Sequence, residues 1–253
     1  MVIFAIKDCA QGNPYHLFFY MIAQFKKFDI SGTEIIPYYY AKTDSVLVES
    51  ALESLPPRFS REYERRSVEP GSEPCEYIEY NVAMIERIEF SDESWIFKYI
   101  RSLYEHIWSK CPQIKGKYTY ISRSKASVRR ITNESQYLDK LKSMNVSVYW
   151  MEDLSFVDQI KLFAESEIVT GPHGAAYSFA TFCKPGSILY EIYRADNIKG
   201  HYPTLANQCN LRYFRYTGIE HYDEATQDMT IDCQTYLDSL EAVILSSISS
   251  SSS

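Results

Sequence analysis

The chain has 253 residues, a net charge of −7 and a pI near 5.3, which argues against a protein built to grip nucleic acid on a basic face. Its 45% hydrophobic and 23% charged residues have the balance of a globular chain. No stretch approaches the roughly 18 apolar residues of a membrane span. The short apolar start lacks a basic leader, so it reads as a strand and not a signal peptide.

The expectation that follows is a cytoplasmic protein with no integral membrane segment and no nucleic-acid partner. The cysteines at 9, 75, 111, 183, 209 and 233 form no CxxC pair and no zinc-like spacing with histidine, so they read as reduced thiols.

Two halves are expected: an N-terminal lobe over 1–112 and a C-terminal lobe over 115–245. A hinge is placed at 111–116, where Pro112 and Gly116 punctuate regular stretches. In the first lobe, strands are predicted at 2–6 and 34–39 and helices at 15–28, 46–55 and 93–110. Residues 56–74 read as an exposed loop, and 75–90 as a strand pair. In the second lobe, strands at 117–122, 146–151, 167–170, 187–193 and 211–216 alternate with helices at 133–143, 155–164 and 175–182. Thr132 or Asn133 is expected to cap the first of these, and Ser155 with Asp158 to form a capping box on the second. A closing helix spans 233–248, and the serine-rich tail, 246–253, is expected to be disordered. Alternating strands and helices predict an α/β fold with parallel sheets, and ligands in such sheets sit beyond the carboxyl ends of the strands.

Two loops at such ends carry chemistry. The segment 122–130 holds Arg123, Lys125, Arg129 and Arg130 and no acid, inside an acidic protein. Forked guanidinium donors ahead of a helix start suit an anion. The second loop, 171–174, sets His173 between Gly171 and Gly174. Glycine lets a ligand approach the backbone closely. A helix start beside His173 is expected to disfavour its protonation and leave a neutral donor. GxGxxG, GxxxxGK[ST], DxD, HExxH and GxSxG are all absent, so the common dinucleotide, P-loop, metalloprotease and hydrolase sites are not expected. Nothing in the sequence calls for a metal.

The stretch from Arg123 to Glu191 resembles glycosyltransferase family 61. The likeness runs through Arg129-Arg130-Ile131-Thr132-Asn133-Glu134, Leu154 to Ile160, Gly171 to Ser187 and Tyr190-Glu191-Ile192. Asn13-Pro14-Tyr15-His16 is similar to that family's Asn-x-Tyr-His segment. The resemblance implies a GT-B-like fold of two Rossmann-like lobes, with the donor in the C-terminal one. It implies an inverting, metal-independent transfer from a nucleotide sugar, most often a UDP-sugar, to a glycan or glycoprotein acceptor, with no other cofactor. Arg123, Arg129, His173 and Gly174 would then hold the diphosphate, and Glu191 the donor ribose. Polysaccharide biosynthesis is the expected setting. Many members carry an Asp four residues beyond the His, where this chain has Tyr20. His16 is therefore the first candidate for the general base, with Asp8 and Glu34 behind it. Tyr20 also keeps open a catalytically degenerate sugar-nucleotide or glycan-binding protein. Pyruvyl transfer on a similar fold is a third, weaker reading.

Overall fold

Near the start of the chain, Val2–Lys7 (β1) lies parallel to Ile35–Tyr40 (β2), with Val2 opposite Ile35 and Lys7 opposite Tyr40. The computed structural model describes residues 2–7, 13–14, 18, 35–40, 46–56, 94–194 and 200–250. The chain divides into two units, one of residues 1–110 with 155–160, the other of 111–154 with 161–253. The helix predicted at 15–28 lies outside the described residues apart from Phe18, and the readings over 57–93 lie wholly outside them.

In the first unit, helices cover Val46–Glu53 (α1), Ser94–Leu103 (α2) and Glu105–Trp108 (α3). One continuous helix was expected over 93–110. It breaks at Tyr104, which leaves helical geometry at φ −111° and ψ 19°. Its buried ring packs edge-on against Phe156 at 5.1 Å, and its hydroxyl donates to the Ala51 carbonyl at 3.1 Å.

The second unit holds the site. Its elements are Tyr118–Ile121 (β3), Leu138–Ser143 (α4), Val146–Tyr149 (β4), Phe156–Glu165 (α5, whose residues 156–160 fall in the first unit), Ile168–Pro172 (β5), Ile188–Ile192 (β6), His201–Gln208 (α6), Arg212–Tyr216 (β7), Ile219–Tyr222 (β8), Met229–Ile231 (β9) and Cys233–Ser250 (α7). Strands β4-β3-β5-β6-β7 form one parallel sheet in that order, and β8 pairs antiparallel with β9. The chain leaves β3 to build β4 on one side, then crosses back to build β5 on the other. The order therefore reverses between β3 and β5, where doubly wound sheets leave a crevice for ligands.

Strands β3, β5 and β6 are buried along their whole length, as parallel strands covered on both faces should be. One face presents Tyr120, Ile168, Ile188 and Tyr190 to Tyr236 and Leu240 of α7. Much of the tyrosine content is used here. Tyr236 lies 5.5 Å from Tyr137, 5.3 Å from Tyr216 and 6.0 Å from Tyr190. The buried hydroxyls are satisfied: Tyr236 with Thr170 at 3.0 Å, Tyr190 with Ser239 at 2.6 Å, and Tyr216 onto the Asp232 carbonyl at 2.8 Å. A buried tyrosine therefore contributes ring area without an orphaned oxygen.

Local differences from the sequence reading have physical causes. Ser155 and Asp158 form the expected cap, Ser155 Oγ accepting from the Asp158 backbone N–H at 3.1 Å. Asn133 caps nothing. Its amide pairs with Ile231 instead, donating at 2.8 Å and accepting from the backbone N–H at 3.2 Å. The helix expected at 133–143 is accordingly a 3₁₀ turn at Glu134–Gln136 followed by α4. The 175–182 segment is also 3₁₀. Gly171 and Pro172 extend β5 and are not loop. The tail expected to be disordered from 246 continues α7 to Ser250. There Ser246, Ser247 and Ser249 donate back to carbonyls three or four residues earlier, at 2.7, 2.8 and 2.8 Å.

Gly171 shows how closely β3 and β5 approach. Its φ is +144°, and a Cβ there would meet the Ile121 carbonyl oxygen at 2.5 Å. Gly171→Ala should therefore cost about 2–5 kcal/mol from strain plus overpacking, read as a lower urea midpoint. An unchanged midpoint would contradict this packing.

Candidate functional site

The loop after β3 is held by its own backbone and two buried or partly buried acids. Ser122 Oγ donates to Glu134 at 2.7 Å, and Tyr120 donates to the other Glu134 oxygen at 2.7 Å. Burial pushes the Glu134 carboxyl above its usual range, against the lowering effect of those two hydrogen bonds. The Ala126 N–H donates to the Arg123 carbonyl at 2.9 Å, closing a turn, and the Arg129 N–H donates to the Thr226 carbonyl at 3.0 Å. Arg129 sits at φ +60°, a left-handed conformation uncommon outside glycine and costly unless the surroundings impose it.

The four cations of this loop separate into two kinds. Lys125 pairs with Asp153 at 2.5 Å, both well exposed. Arg130 forks onto Asp228 at 2.6 and 3.0 Å, and its backbone N–H adds a third bond at 2.8 Å. Among the described residues, Arg123 and Arg129 have no acidic partner within salt-bridge distance, and the Nε of each is buried without a hydrogen-bond partner. Arg123 Nη2 donates only to the Val128 carbonyl, at 3.0 Å. Burial, then the charge of Arg129, lowers the Arg123 guanidinium below the usual arginine value, with Glu152 opposing. Buried donors left without a partner are costly, which sets this pair apart from the other two cations of the loop.

Asp228 supports the loop through its bonds to Arg130. Burial alone would raise its carboxyl, but the Arg130 hydrogen bonds outweigh burial and hold it below the usual range. A depressed carboxylate stabilises the fold above its unfolded value, about 3.9, and the contribution is lost as pH falls through the lower folded value. Asp228→Asn should therefore lower Tm at pH 7, with the gap to the parent closing in acid. A gap that widens in acid would contradict the assignment.

His173 follows β5 and is brought beside the arginine loop by the β3–β5 pairing. A Cβ on Gly174 would lie 2.4 Å from Arg123 Nη1, so the guanidinium rests directly on the Gly174 backbone. Gly174 has φ −174°, which any residue adopts. Glycine is needed here for the close approach alone. The sequence placed Arg123, Arg129, His173 and Gly174 at one site, and the structure brings the arginine loop and this turn together at the reversal point of the sheet.

Glu191 has partners other than the expected ribose. It is 1% exposed. One oxygen accepts from His173 Nδ1 at 2.5 Å, and the other accepts from the Tyr213 hydroxyl. Arg215 Nε donates to the same Tyr213 oxygen at 3.2 Å. The imidazole stacks on Tyr193 at 4.1 Å, with Tyr202 at 5.3 Å. Tyr202 in turn donates to the Gly174 carbonyl at 2.8 Å, and burial raises its hydroxyl pKa. Sequence reasoning missed Tyr193, Tyr202, Tyr213, Arg215 and Glu134. Strand register singles out Tyr213 and Arg215, whereas in so tyrosine-rich a chain nothing local marks Tyr193 or Tyr202.

His16, Asp8 and Glu34, the candidates for a general base, lie outside the described residues. Among the described residues no group of three His, Cys, Asp or Glu side chains is placed to hold a metal ion, and no helix is long and apolar enough to cross a membrane.

Fold and site together define a Rossmann-like α/β protein with two arginines, a histidine and a glycine gathered at its switch point. The chain belongs to glycosyltransferase family 61, whose model matches residues 16–190. It is 29% identical over 107 residues to the EGF domain-specific O-linked N-acetylglucosamine transferase of Drosophila melanogaster, covering 41% of this chain and 20% of that protein. It is 26% identical over 113 residues to the proteins of that name from Gallus gallus and Mus musculus, covering 43% of this chain and 19% of each. The chain thus matches about a fifth of the length of these relatives.

Proposed function

We propose that this protein is an inverting, metal-independent glycosyltransferase that takes a nucleotide sugar, a UDP-sugar in the first instance, and glycosylates a glycan or protein acceptor on a GT-B-like fold. The carrying observation is that Arg123 and Arg129 both keep a buried Nε without a hydrogen-bond partner, and that the Arg123 guanidinium rests on Gly174, next to His173. When the glycosidic bond to the donor breaks, negative charge develops on the departing diphosphate. Donors fixed in advance stabilise that charge without reorganising. The loop is built this way, with Thr226 and Asp228 holding its backbone and Glu134 holding the Ser122 side chain. Two arginines supply the positive charge that a divalent ion supplies elsewhere, and an imidazole adds a further donor. Inversion then needs one base on the acceptor side to take the hydroxyl proton, which is the role reserved for His16, Asp8 or Glu34.

The test is turnover of a UDP-sugar with a chelator in excess. Sustained sugar release or transfer is expected. Activity lost with chelator and restored by manganese would overturn metal independence. The second reading, binding without transfer, rests on Tyr20 in place of the family's Asp. It predicts that UDP raises Tm while no sugar is released.

A further inference from the structure

Glu191 and His173 raise a question of proton count. A carboxylate only accepts hydrogen bonds, so the imidazole nitrogen facing it, Nδ1, carries a proton. A neutral imidazole has one N–H. With that proton at Nδ1, Nε2 has only a lone pair, and a phosphate oxygen there would meet lone pair against lone pair. A neutral donor, as the adjacent helix start led one to expect, cannot serve both sides.

Resting on the donor reading above, we infer that Glu191 is a positioning residue that makes His173 a two-proton, cationic donor when the diphosphate is bound. One proton enters from water as the ligand binds. The pair then holds a proton at Nδ1 shared with Glu191 and a second at Nε2 directed at the diphosphate. No covalent bond changes.

The groups facing the pair fit this. Glu191 from β6 favours the added charge, and its second oxygen is steadied by Tyr213, itself fixed by Arg215 of β7. Tyr193 covers one ring face, Tyr202 of α6 lies alongside, and Tyr177 of the 3₁₀ segment packs behind Tyr202. Arg123 and Arg129 oppose a third positive charge in the free site, and a diphosphate removes that opposition. Protonation and anion binding are therefore linked, each strengthening the other.

Histidine-labelled ¹⁵N protein, bound to UDP-N-acetylglucosamine at pH 7.5, tests this directly. His173 signals are assigned by their loss in His173→Gln. Both ring nitrogens should show the protonated, imidazolium signature in the complex. A complex in which Nε2 remains unprotonated overturns the inference and leaves the donor reading intact, whereas no binding at all overturns both. Glu191→Gln keeps an acceptor but removes the charge. Its Kd for the same sugar nucleotide should rise at least about tenfold at pH 7.5 and clearly less at pH 6.0. An equal loss at both pH values would mark a merely structural role and sink the assignment. Should that variant fail to fold, the spectrum of the unmodified complex still decides.

Discussion

Arg123→Ala is expected to lower turnover of a UDP-sugar by roughly 10²–10³, and to abolish the rise in Tm that UDP gives the parent protein. Removing one fixed donor to a developing oxyanion has that order of effect because no solvent molecule takes its place with equal alignment. Arg123 is a strong case, since its Nε is buried without a partner and Arg129 bears on the same space. Stability without ligand should rise slightly or stay level, because the substitution removes a buried charge from beside a like charge. Lys125→Ala is the internal control. That lysine is exposed and paired with Asp153, so its loss should leave rate and binding nearly unchanged. Equal effects at 123 and 125 would mean that net charge, and not placement, governs binding.

Gly174→Ala should come close to Arg123→Ala in its effect on binding while leaving the fold intact. The added methyl would sit 2.4 Å from Arg123 Nη1, and the three atoms nearest to it, Nη1, Cζ and Cδ of that arginine, all belong to a side chain. The backbone already has an extended conformation that alanine accepts. The arginine therefore yields, moving its guanidinium off the turn, and the cradle loses its geometry. UDP affinity should fall by at least about tenfold, with Tm without ligand within the few degrees that a surface change of under about 1 kcal/mol produces. Gly171→Ala, three residues earlier, should do the reverse, because there the obstacle is the Ile121 carbonyl of the neighbouring strand. Loss of stability at 174 with binding retained would contradict the contact on which the site is built.

Much of this was legible in the sequence because strand and helix periods differ and the second unit keeps to them. The five parallel strands, the Ser155 cap and the two loops that carry the site were readable from alternation, turn residues and local charge. The strand order was not, because pairing partners leave no mark on a single strand. Without that order the convergence of 123–129 with 173–174 was an expectation drawn from charge and glycine alone. Glu191 shows the same limit more sharply. A carboxylate at the end of a strand suits a ribose as well as it suits a histidine. Only the β5–β6 and β6–β7 registers, which set Gly171 and Arg215 beside it, place it under His173 and against Tyr213. Asn133 was misread as a cap because its partner Ile231 lies nearly a hundred residues away. The serine tail was misread because composition signals disorder, while back-bonded hydroxyls and the buried Val243, Ile244 and Ser247 hold the helix.

In the proposed function Arg123, Arg129 and His173 together hold one diphosphate at the reversal of the sheet. A crystal structure of the protein with UDP tests it most directly. That arrangement predicts phosphate oxygens within hydrogen-bond distance of the Arg123 and Arg129 guanidinium groups and of His173 Nε2. A diphosphate bound elsewhere, with both guanidinium Nε atoms still lacking partners, would contradict it.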